Sequence, residues 1–514
     1  MTETSRKNLF IAIFALAMVL TSFVAASTVT TATLSAENIS DVCSMSLHGA
    51  DGSEKWLSHT KLLDEEYTTY ASFTKGDVIT IKSESQIAGL YVVWNTIPGE
   101  WDLTVDGSTI KAGKYGFLHE YIDIAEVAGK KASEITITVP KNMAVCDISV
   151  FTEGELPEWV QVWLPPCEKA DIMLLSTHSD DEQLFFAGLL PYYAGEVGAA
   201  VQVVYLTNHW DTQNRPHEQI NGLWTVGVRN YPIVGHFPDD VSTLNQTGET
   251  VQQTLERVLR GAYDETGTWG EANLMEFQVE MIRRFKPQVI VAHDVNGEYQ
   301  HGAHIANTYT LQQALAPAAD PSQYTDSAMK YGAWDVPKVY IHLWQENKIT
   351  MNWDVPLENF GGKTAFEVSK EGYLCHRSQQ WTWFTRWLTG TASGVADTIK
   401  KASEIKTYSP CEYGLYKSTV GVDTKADLVD NIVLCKDQTP PPAENTQGPT
   451  MSPGEQTPGN SGNTPSVSTP TGAEKAKTGE EDKSNTEDIL IYCAMAACVI
   501  AIIVMAVVSS KKKK

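Results

Sequence analysis

The pattern of apolar and polar positions differs between two regions of the chain. Between residues 42 and 155, short apolar runs such as Val78–Ile81 and Leu90–Trp94 are separated by turn signals such as Asp106–Gly107. Regularly spaced short strands predict a small all-β sandwich or jelly roll. Over residues 168–436, apolar strand-like runs alternate with stretches of helical period. That alternation predicts an α/β domain with a doubly wound, mostly parallel sheet.

Two further apolar runs lie near the ends of the chain. Residues 1–26 combine basic residues, an apolar run and small residues, which is typical of a signal peptide. Residues 488–509 hold an uncharged run of about twenty residues that predicts a transmembrane helix, and the lysines of 510–514 predict a cytoplasmic tail. The Pro/Thr/Ser-rich segment 437–487 predicts a stalk. The sequence therefore predicts a single-pass protein of the cell membrane with its folded body outside the cytoplasm.

The first polar cluster that could bind a metal or take part in catalysis occupies residues 176–182 and reads Ser-Thr-His-Ser-Asp-Asp-Glu. It follows the apolar run Asp171–Leu175 and lies on a predicted strand-to-helix turn, where ligands bind in open α/β sheets. His178 and one carboxylate would hold a divalent metal, and the neighbouring carboxylate would take a proton from water. Alternatively, the acidic residues would cap the free N–H groups of the helix. The cluster alone leaves both alternatives open.

A second cluster, His293–His304, also follows an apolar run, at residues 288–292, and precedes a predicted helix. His301 and His304 are three residues apart, so on a helix start they would face the same way. A lone pair of this kind is more often structural than ligating. Because loops after parallel strands meet at one edge of the sheet, we expect the two clusters to converge.

The two motifs, His-x-Asp-Asp-Glu and then Gly-x-Tyr-x-His-x-x-His, resemble those of the LmbE-like, or PIG-L, zinc-dependent N-deacetylases. The resemblance covers roughly residues 168 to 390 and implies a Rossmann-like fold. It implies a Zn²⁺ ion held by His178, Asp181 and His304. Ser179 stands where the family usually has proline, so the turn is expected to be less stiff.

The resemblance also implies catalytic roles for two residues that are not metal ligands. Asp180 would act as the general base toward water, and His301, as an imidazolium, would stabilise the oxyanion. Either His301 or the protonated Asp180 would then give a proton to the leaving amine.

Three residues are assigned to substrate binding. Arg215 begins an Arg-x-x-Glu element of the family and would hold a sugar hydroxyl or a phosphate. Asp239 would accept hydrogen bonds from hydroxyls, and Tyr299 would orient its loop. A surface salt bridge is the alternative for both Arg215 and Asp239. We expect the His-x-Ser-Gln element at 376–379 to be structural. For the aromatic residues after it, packing beneath the sheet is favoured over the alternative of walling the pocket; these are Trp381, Trp383, Phe384 and Trp387.

The net charge and the cysteine content limit which ligands, disulfides and metal sites the chain can have. The 514 residues carry a formal net charge of −24, which argues against nucleic acid or anionic lipid as the main ligand. The cysteines outside the C-terminal apolar run permit disulfides, with Cys43–Cys146 and Cys411–Cys435 as candidate pairs. Neither His/Asp cluster contains cysteine, so a thiolate metal site is not expected.

The resemblance thus implies a metal-dependent amide hydrolase that removes the N-acetyl group from N-acetylglucosaminyl glycans or glycolipids. Two histidines and one carboxylate also serve non-haem iron oxygenases, so the ligands alone do not decide the metal. Hydrolysis, however, also gives Asp180 a task. A different class of alternative is a non-catalytic surface glycan-binding protein built on a deacetylase-like domain. The sequence identifies neither the specific substrate nor the oligomeric state.

Overall fold

The N-terminal region is rich in strands, as the sequence predicts. The computed structural model of the chain describes residues 34–210, 212–239, 245–260, 268–380, 382–391 and 397–438. The strands of its N-terminal region are β1 (Ser44–His48), β2 (Glu54–Lys55), β3 (Ala71–Phe73), β4 (Val78–Ile87), β5 (Gly89–Trp94), β6 (Trp101–Val105), β7 (Ser108–Ala112), β8 (His119–Asp123), β9 (Ala132–Thr138) and β10 (Met143–Phe151). Two short helices accompany them, α1 (His59–Leu62) and α2 (Ile124–Ala128). The strands form two antiparallel sheets, in the orders β2-β1-β4-β9-β6-β7 and β3-β10-β5-β8.

Alternating apolar residues explain which faces of these strands are buried. In β4, Ile79 and Ile81 are fully buried, whereas their neighbours are partly exposed, because successive side chains of a strand point to opposite faces. Trp94 of β5 and Trp101 of β6 are also buried, with ring centroids 5.3 Å apart. These two strands belong to different sheets, so the sheets share one hydrophobic core.

The region that follows is built around a mixed sheet. Its strands are β11 (Ile172–Ser176), β12 (Val201–Asn208), β13 (Ile233–Pro238), β14 (Val289–Ala292), β15 (Lys338–His342), β16 (Lys348–Thr350) and β17 (Glu412–Ser418). They lie in the order β13-β12-β11-β14-β15-β17-β16. The first five strands in this order, β13, β12, β11, β14 and β15, are parallel to one another, whereas β17 is antiparallel to both of its neighbours. The predicted α/β region with a mostly parallel sheet is therefore present.

Helices cover both faces of this sheet. They are α3 (Asp181–Leu184), α4 (Arg215–Thr225), α5 (Val251–Leu259), α6 (Glu271–Phe285), α7 (Gly302–Ala319), α8 (Thr325–Tyr331), α9 (Ala365–Leu374) and α10 (Arg386–Thr389). In β11, Leu174 lies in one hydrophobic cluster with Leu223 of α4. The next residue, Leu175, lies in another cluster with Ile282 of α6 and Leu311 of α7. Because both faces are buried, β11 reads as an uninterrupted apolar run.

The strand order reverses at β11. From β11 the chain adds β12 and β13 on one side and then returns to add β14 on the other side. Loops that leave two such neighbouring strands in opposite directions open a crevice at the carboxyl ends of the strands, and this is where ligands bind in open α/β sheets. The two His/Asp clusters follow β11 and β14, so both reach this crevice.

The N-terminal region packs directly on α4 and its surroundings. The backbone N–H of Leu118 donates to the Tyr231 hydroxyl at 2.9 Å, and His119 Nε2 lies 2.8 Å from His217 Nδ1. Tyr67 stacks on His217 with ring centroids 5.0 Å apart. All described residues fall within one compact unit. The domain boundaries 42–155 and 168–436 stay a prediction.

The predicted single-pass location in the cell membrane is wrong. Among the residues that the structure describes, no helix is long and apolar enough to cross a bilayer. A span needs about 20 apolar residues, whereas the longest described helix, α7, has 18 residues and includes polar side chains such as His304 and Asn307. The predicted signal peptide (1–26), transmembrane helix (488–509) and tail (510–514) lie outside the described residues, as does the stalk from residue 439 onward.

The predicted disulfide pairs are also wrong. Cys43, Cys146, Cys411 and Cys435 are free thiols, as are the other described cysteines. Burial raises the pKa of Cys146 to about 12, so this thiol is protonated at neutral pH.

Candidate active site

The loop after β11 is held by contacts between its own backbone and its acidic side chains. Asp181 Oδ2 accepts a hydrogen bond from the backbone N–H of His178 at 2.7 Å, and Glu182 Oε2 accepts one from the backbone N–H of Asp180 at 2.9 Å. Asp180 precedes α3 but makes no side-chain capping hydrogen bond. The capping alternative is therefore wrong for Asp180, and its carboxylate is left to face the cavity beside it.

Three ligand atoms come together where the loops after β11 and β14 meet. His178 Nδ1 lies 3.0 Å from His304 Nε2, and each of these atoms lies 3.2 Å from Asp181 Oδ2. All three side chains are buried. Ligands bound at about 2.0–2.2 Å to a tetrahedral zinc ion lie about 3.4 Å from one another, so the triangle fits a small divalent metal.

The carboxylate of Glu298 fixes the orientation of His304. Glu298 Oε2 accepts hydrogen bonds from His304 Nδ1 at 2.8 Å and from His293 Nδ1 at 2.7 Å, and Oε1 accepts one from His342 Nδ1 at 2.6 Å. All four side chains are fully buried. Because an ionised carboxylate only accepts, His304 carries a proton on Nδ1, and its Nε2 faces Asp181 and His178. Although burial opposes the shift, Asp181 and Glu298 raise the pKa of His304 to about 10, so Nε2 can bind a metal once it has lost its own proton.

Hydrogen bonds distinguish the possible donor sets. His293 also groups with Asp181 and His304 at ligand distance. Its Nε2, however, accepts the backbone N–H of Thr177 at 3.1 Å, so this lone pair is already engaged. The other ring nitrogen of His178, Nε2, is buried without a hydrogen-bond partner among the described residues and lies 3.6 Å from an Asp239 oxygen. The set His178, Asp181 and His304 therefore fits a metal better than the set with His293.

His301 lies beside this set as a neutral ring. Its ring centroid is 4.5 Å from that of His178, and its Nδ1 accepts the backbone N–H of Ala303 at 3.1 Å. The proton of the ring therefore resides on Nε2. Burial, together with His178 and His304, holds the pKa of His301 well below its usual value. These contacts favour a neutral His301 in the free site, and the imidazolium form predicted for the reaction itself stays a prediction.

The two adjacent aspartates have opposite electrostatic surroundings. Burial raises the pKa of Asp180 to about 7, although Arg215 acts against this shift with its NH2 group 3.8 Å away. Burial would also raise the pKa of Asp181, but His304 and His178 outweigh it and hold that pKa well below its usual range. One carboxylate is thus set to exchange a proton near neutral pH, while the other stays ionised.

A cavity of about 400 Å³ opens in front of these residues. Its lining includes seven of the eight residues singled out from the sequence, namely His178, Asp180, Asp181, Arg215, Asp239, Tyr299 and His301. His304 lies behind them, fully buried. Arg215 donates to the backbone carbonyl of Ser179, and Asp239 accepts from His209 Nε2 at 2.7 Å. Neither residue is therefore merely part of a surface salt bridge.

Family comparison agrees with this geometry. Residues 173–315 match the family model described as PIG-L, GlcNAc-PI de-N-acetylase. The match begins in β11 and ends in α7, so it spans both His/Asp clusters. A relative from Saccharopolyspora erythraea, 1D-myo-inositol 2-acetamido-2-deoxy-alpha-D-glucopyranoside deacetylase 2, is 26% identical over 46% of this chain and 81% of its own length. A deacetylase of Geodermatophilus obscurus with the same description, apart from the final number, is 39% identical over a shorter stretch. That stretch covers 15% of this chain and 27% of the relative's length.

Solved structures similar to the chain include the N,N'-diacetylchitobiose deacetylase from Pyrococcus horikoshii. It is 13% identical in sequence, covers 48% of this chain and 83% of its own, and superposes with a TM-score of 0.33. A teicoplanin deacetylase is 15% identical, covers 44% of this chain and 88% of its own, and has a TM-score of 0.27.

Several residues of the candidate site were missed or misjudged from the sequence. Trp383, Phe384 and Trp387 line the cavity instead of packing beneath the sheet, while Trp381 lies outside the described residues. Trp387 stacks on Tyr299 with centroids 4.9 Å apart. The mixed spacing of these aromatic residues carried no signal for which side they face. Glu298 was missed although it stands directly before Tyr299 in the second motif.

The loop after β11, which has Ser179 in place of proline, is stiffened in another way. The backbone N–H of Ser179 donates to His209 Nδ1 at 3.3 Å, and Ser179 Oγ accepts from Gln219 Nε2 at 2.8 Å. A proline would have neither group. The first of these bonds leaves His209 with its proton on Nε2, from which it donates to Asp239. The expectation that serine weakens this turn is therefore not supported by the contacts around it.

Proposed function

We propose that this protein is a metal-dependent hydrolase that removes the N-acetyl group from N-acetylglucosaminyl compounds. The observation that carries the proposal is the triangle of His178 Nδ1, His304 Nε2 and Asp181 Oδ2, with sides of 3.0–3.2 Å, beside a carboxylate that is not part of it. That carboxylate belongs to Asp180, which lines the same cavity. A glycan-binding protein without catalysis would need neither the triangle nor the adjacent carboxylate.

The donor set is suited to zinc, which binds two imidazoles and one carboxylate in many hydrolases. His178, His304 and Asp181 would hold the ion. A divalent ion bound there supplies a Lewis acid that polarises the acetamide carbonyl and favours ionisation of water. Zinc is preferred over iron because the neighbouring Asp180 has a role in hydrolysis and none in oxygen chemistry.

Asp180 acts as the general base. Its carboxylate is buried, and burial raises its pKa to about 7, so it can accept a proton from the attacking water at neutral pH. The guanidinium of Arg215, 3.8 Å away, favours the ionised form needed at the start of the reaction. The proton taken up is then available for the leaving amine.

His301 acts as a neutral hydrogen-bond donor. Because its Nδ1 accepts the backbone N–H of Ala303, its N–H group at Nε2 is the one free to donate. We infer that this group donates to the oxyanion that forms when water adds to the acetamide carbonyl. A neutral donor fixed in this way needs no proton uptake before the reaction.

The remaining lining suits a sugar ring. Trp383 and Trp387 offer apolar surface for the face of the ring, and Arg215 and Asp239 offer a donor and an acceptor for hydroxyls. Tyr299 is held by its stacking on Trp387. We propose an N-acetylglucosaminyl glycan or glycolipid as the substrate. We also propose that residues 42–155 form a β-sandwich accessory domain and residues 168–436 the deacetylase domain.

Acetate release tests the proposal directly. The purified chain, loaded with zinc, is incubated with N-acetylglucosamine oligomers and with an N-acetylglucosaminyl inositol. We expect acetate to be released, and we expect Asp180→Asn to lower the rate by about 10²- to 10⁴-fold while bound zinc is retained. Asp181→Asn is the matched comparison, because it should lose zinc as well as activity. Full activity in Asp180→Asn, or in protein stripped of metal, would refute the mechanism.

A further inference from the structure

A second cavity, of about 290 Å³, lies where the N-terminal region meets α4. We call it the junction pocket. Tyr67, Tyr91 and Asp147 line it from the N-terminal region, Trp159 from the segment between the regions, and Trp224 from α4. Its volume is close to the lower end of the range of about 300–1,000 Å³ that small-molecule sites occupy. None of its lining residues takes part in the proposed deacetylation.

The junction pocket has more carboxylates than cations, since the nearby guanidinium of Arg377, 5.1 Å from the centre of the Tyr67 ring, pairs with only one of them. Its lining includes the carboxylates of Glu65, Glu66 and Asp147 but no lysine or arginine. Glu66 pairs with Arg377 at 2.9 Å, whereas neither Glu65 nor Asp147 forms an ion pair with any described residue. Leaving a buried carboxylate without a cation is costly, so the pocket is complementary to a positively charged ligand.

Asp147 is the buried member of this group. Its side chain is 4% exposed, and it accepts hydrogen bonds from the backbone N–H of Glu65 at 2.9 Å and from the Ser149 hydroxyl at 3.1 Å. These bonds fix the carboxylate in place without neutralising it. Burial accordingly raises the pKa of Asp147 to about 6, and Asp64 and Glu65 add to the shift.

Aromatic rings and an unsatisfied hydroxyl complete the pocket. Tyr67 is 7% exposed, and its hydroxyl is buried without a hydrogen-bond partner among the described residues. Trp159 packs edge-on against Tyr91 with centroids 5.9 Å apart and keeps 43% of its surface exposed. Aromatic faces attract ammonium groups, and the attraction grows when the cation is desolvated. The same rings provide a surface on which a sugar can pack.

We propose that the junction pocket binds an organic ammonium group and that its ligand is the protonated amino sugar formed by deacetylation. The identity of the sugar rests on the proposed function, because removal of the acetyl group converts a neutral acetamide into a primary amine. The ammonium group pairs with Asp147, the Tyr67 hydroxyl bonds to a polar group of the ligand, and Trp159 covers the ring. An N-acetylated sugar has no charge to offer Asp147.

Helix α4 connects the junction pocket to the catalytic cavity. Arg215 at its first position lines the catalytic cavity, whereas Trp224 and Thr225 at its end line the junction pocket. At a rise of about 1.5 Å per residue, these positions are about 15 Å apart along the helix. One oligosaccharide could therefore place an acetylated unit in the catalytic cavity and a deacetylated unit in the junction pocket.

Calorimetric titration of the full chain tests the proposal. The titrations use Asp180→Asn protein, which should not turn over its ligand, with a glucosamine tetrasaccharide and its fully N-acetylated counterpart. We expect the added change Asp147→Asn to weaken binding of the glucosamine tetrasaccharide at least tenfold and binding of the acetylated one less than twofold. Asn matches Asp in shape and can keep both hydrogen bonds of Asp147. Glu54→Gln, an exposed acid of the N-terminal region outside the pocket, is the matched control and should change neither affinity.

Two outcomes would overturn the proposal. One is equal affinity for the two tetrasaccharides, and the other is an affinity for the glucosamine tetrasaccharide that Asp147→Asn leaves unchanged. If Asp147→Asn does not fold, the comparison of the two tetrasaccharides in Asp180→Asn protein still decides, and Trp159→Ala, which truncates a half-exposed side chain, should weaken binding of both because Trp159 covers the ring. If acetate release fails but Asp147-dependent binding of the glucosamine tetrasaccharide persists, the deacetylase proposal fails and the ammonium site stands.

Discussion

Replacing Glu298 by glutamine should separate the orientation of a metal ligand from the stability of the fold. His342 donates through Nδ1 to Glu298 Oε1 at 2.6 Å and through Nε2 to the Ser409 carbonyl at 2.9 Å. Both partners are hydrogen-bond acceptors. In Glu298→Gln, the amide N–H can donate to His342 Nδ1, which then accepts instead of donating. The amide oxygen still accepts from His293 and His304.

The expected magnitude follows from this hydrogen-bond pattern. The three imidazole rings keep a partner in Glu298→Gln, but the Asp294 backbone N–H loses its acceptor at Oε1 and the negative charge behind His304 is lost. Removal of a carboxylate that supports a histidine ligand typically weakens metal binding by about 10- to 100-fold, or about 1.4–2.7 kcal/mol. Glu298→Ala would instead leave three buried imidazole N–H groups without an acceptor. At about 1–3 kcal/mol each, that is roughly 3–9 kcal/mol, comparable to the stability of a whole domain.

Zinc affinity, measured by competition with a chromophoric chelator, is the deciding assay. Glu298→Gln should bind zinc 10- to 100-fold more weakly, while the melting temperature of the metal-free protein should fall by less than in Glu298→Ala. Asp423→Asn is the matched control, because Asp423 is also buried and pairs with Lys338 at 2.6 Å away from the site. It should lower the melting temperature without changing zinc affinity. Zinc affinity within twofold of the parent in Glu298→Gln would refute the assigned role of Glu298.

Three further predictions concern the loop, the metal and a buried acid. Ser179→Pro removes the hydrogen bonds to His209 and Gln219 and should destabilise the fold by about 1–3 kcal/mol in thermal melts, whereas Ser179→Ala, which keeps the N–H group, should cost less. Zinc at 100 times its dissociation constant should stabilise the protein by about 2.7 kcal/mol, and Asp181→Asn should abolish that effect. Burial raises the pKa of Asp147 from 3.8 to about 6, so the folded state holds this proton more tightly than the unfolded chain. The resulting stability is present below pH 3.8 and is lost as the pH rises through about 6, by up to about 3 kcal/mol. Urea unfolding should therefore show Asp147→Asn gaining stability relative to the parent between pH 5 and pH 8, and a pH-independent difference would contradict this.

The sequence predicts the parts of the site that lie next to strand ends. The residues of β11 are apolar without interruption because both faces of this strand are covered, and a polar cluster directly after such a strand must lie at the sheet edge. The same reasoning locates the cluster after β14. Convergence of His178 with His304 then follows from parallel pairing of the two strands, which the structure contains.

Other parts depend on contacts between distant segments and carry no local signal. His342 ends a strand like any other buried residue, and only the fold brings it to Glu298, 44 positions earlier. Trp383 and Trp387 lie in short helical turns whose apolar residues show no period, so the face they present could not be read from spacing. The junction pocket is invisible in the sequence because Tyr67, Asp147 and Trp224 meet only when the two regions pack together.

The backbone of the loop after β11 explains how the proposed general base, Asp180, is directed toward the cavity. Asp180 has a φ of 125°, a value that residues other than glycine rarely adopt, and such backbone strain costs about 1–3 kcal/mol. It persists because each backbone N–H from His178 to Asp180 is bound to a side chain: that of His178 to Asp181, that of Ser179 to His209, and that of Asp180 to Glu182. These three contacts over-determine the turn. The strained residue therefore keeps its carboxylate beside the ligand triangle without joining it, which is the position a general base requires.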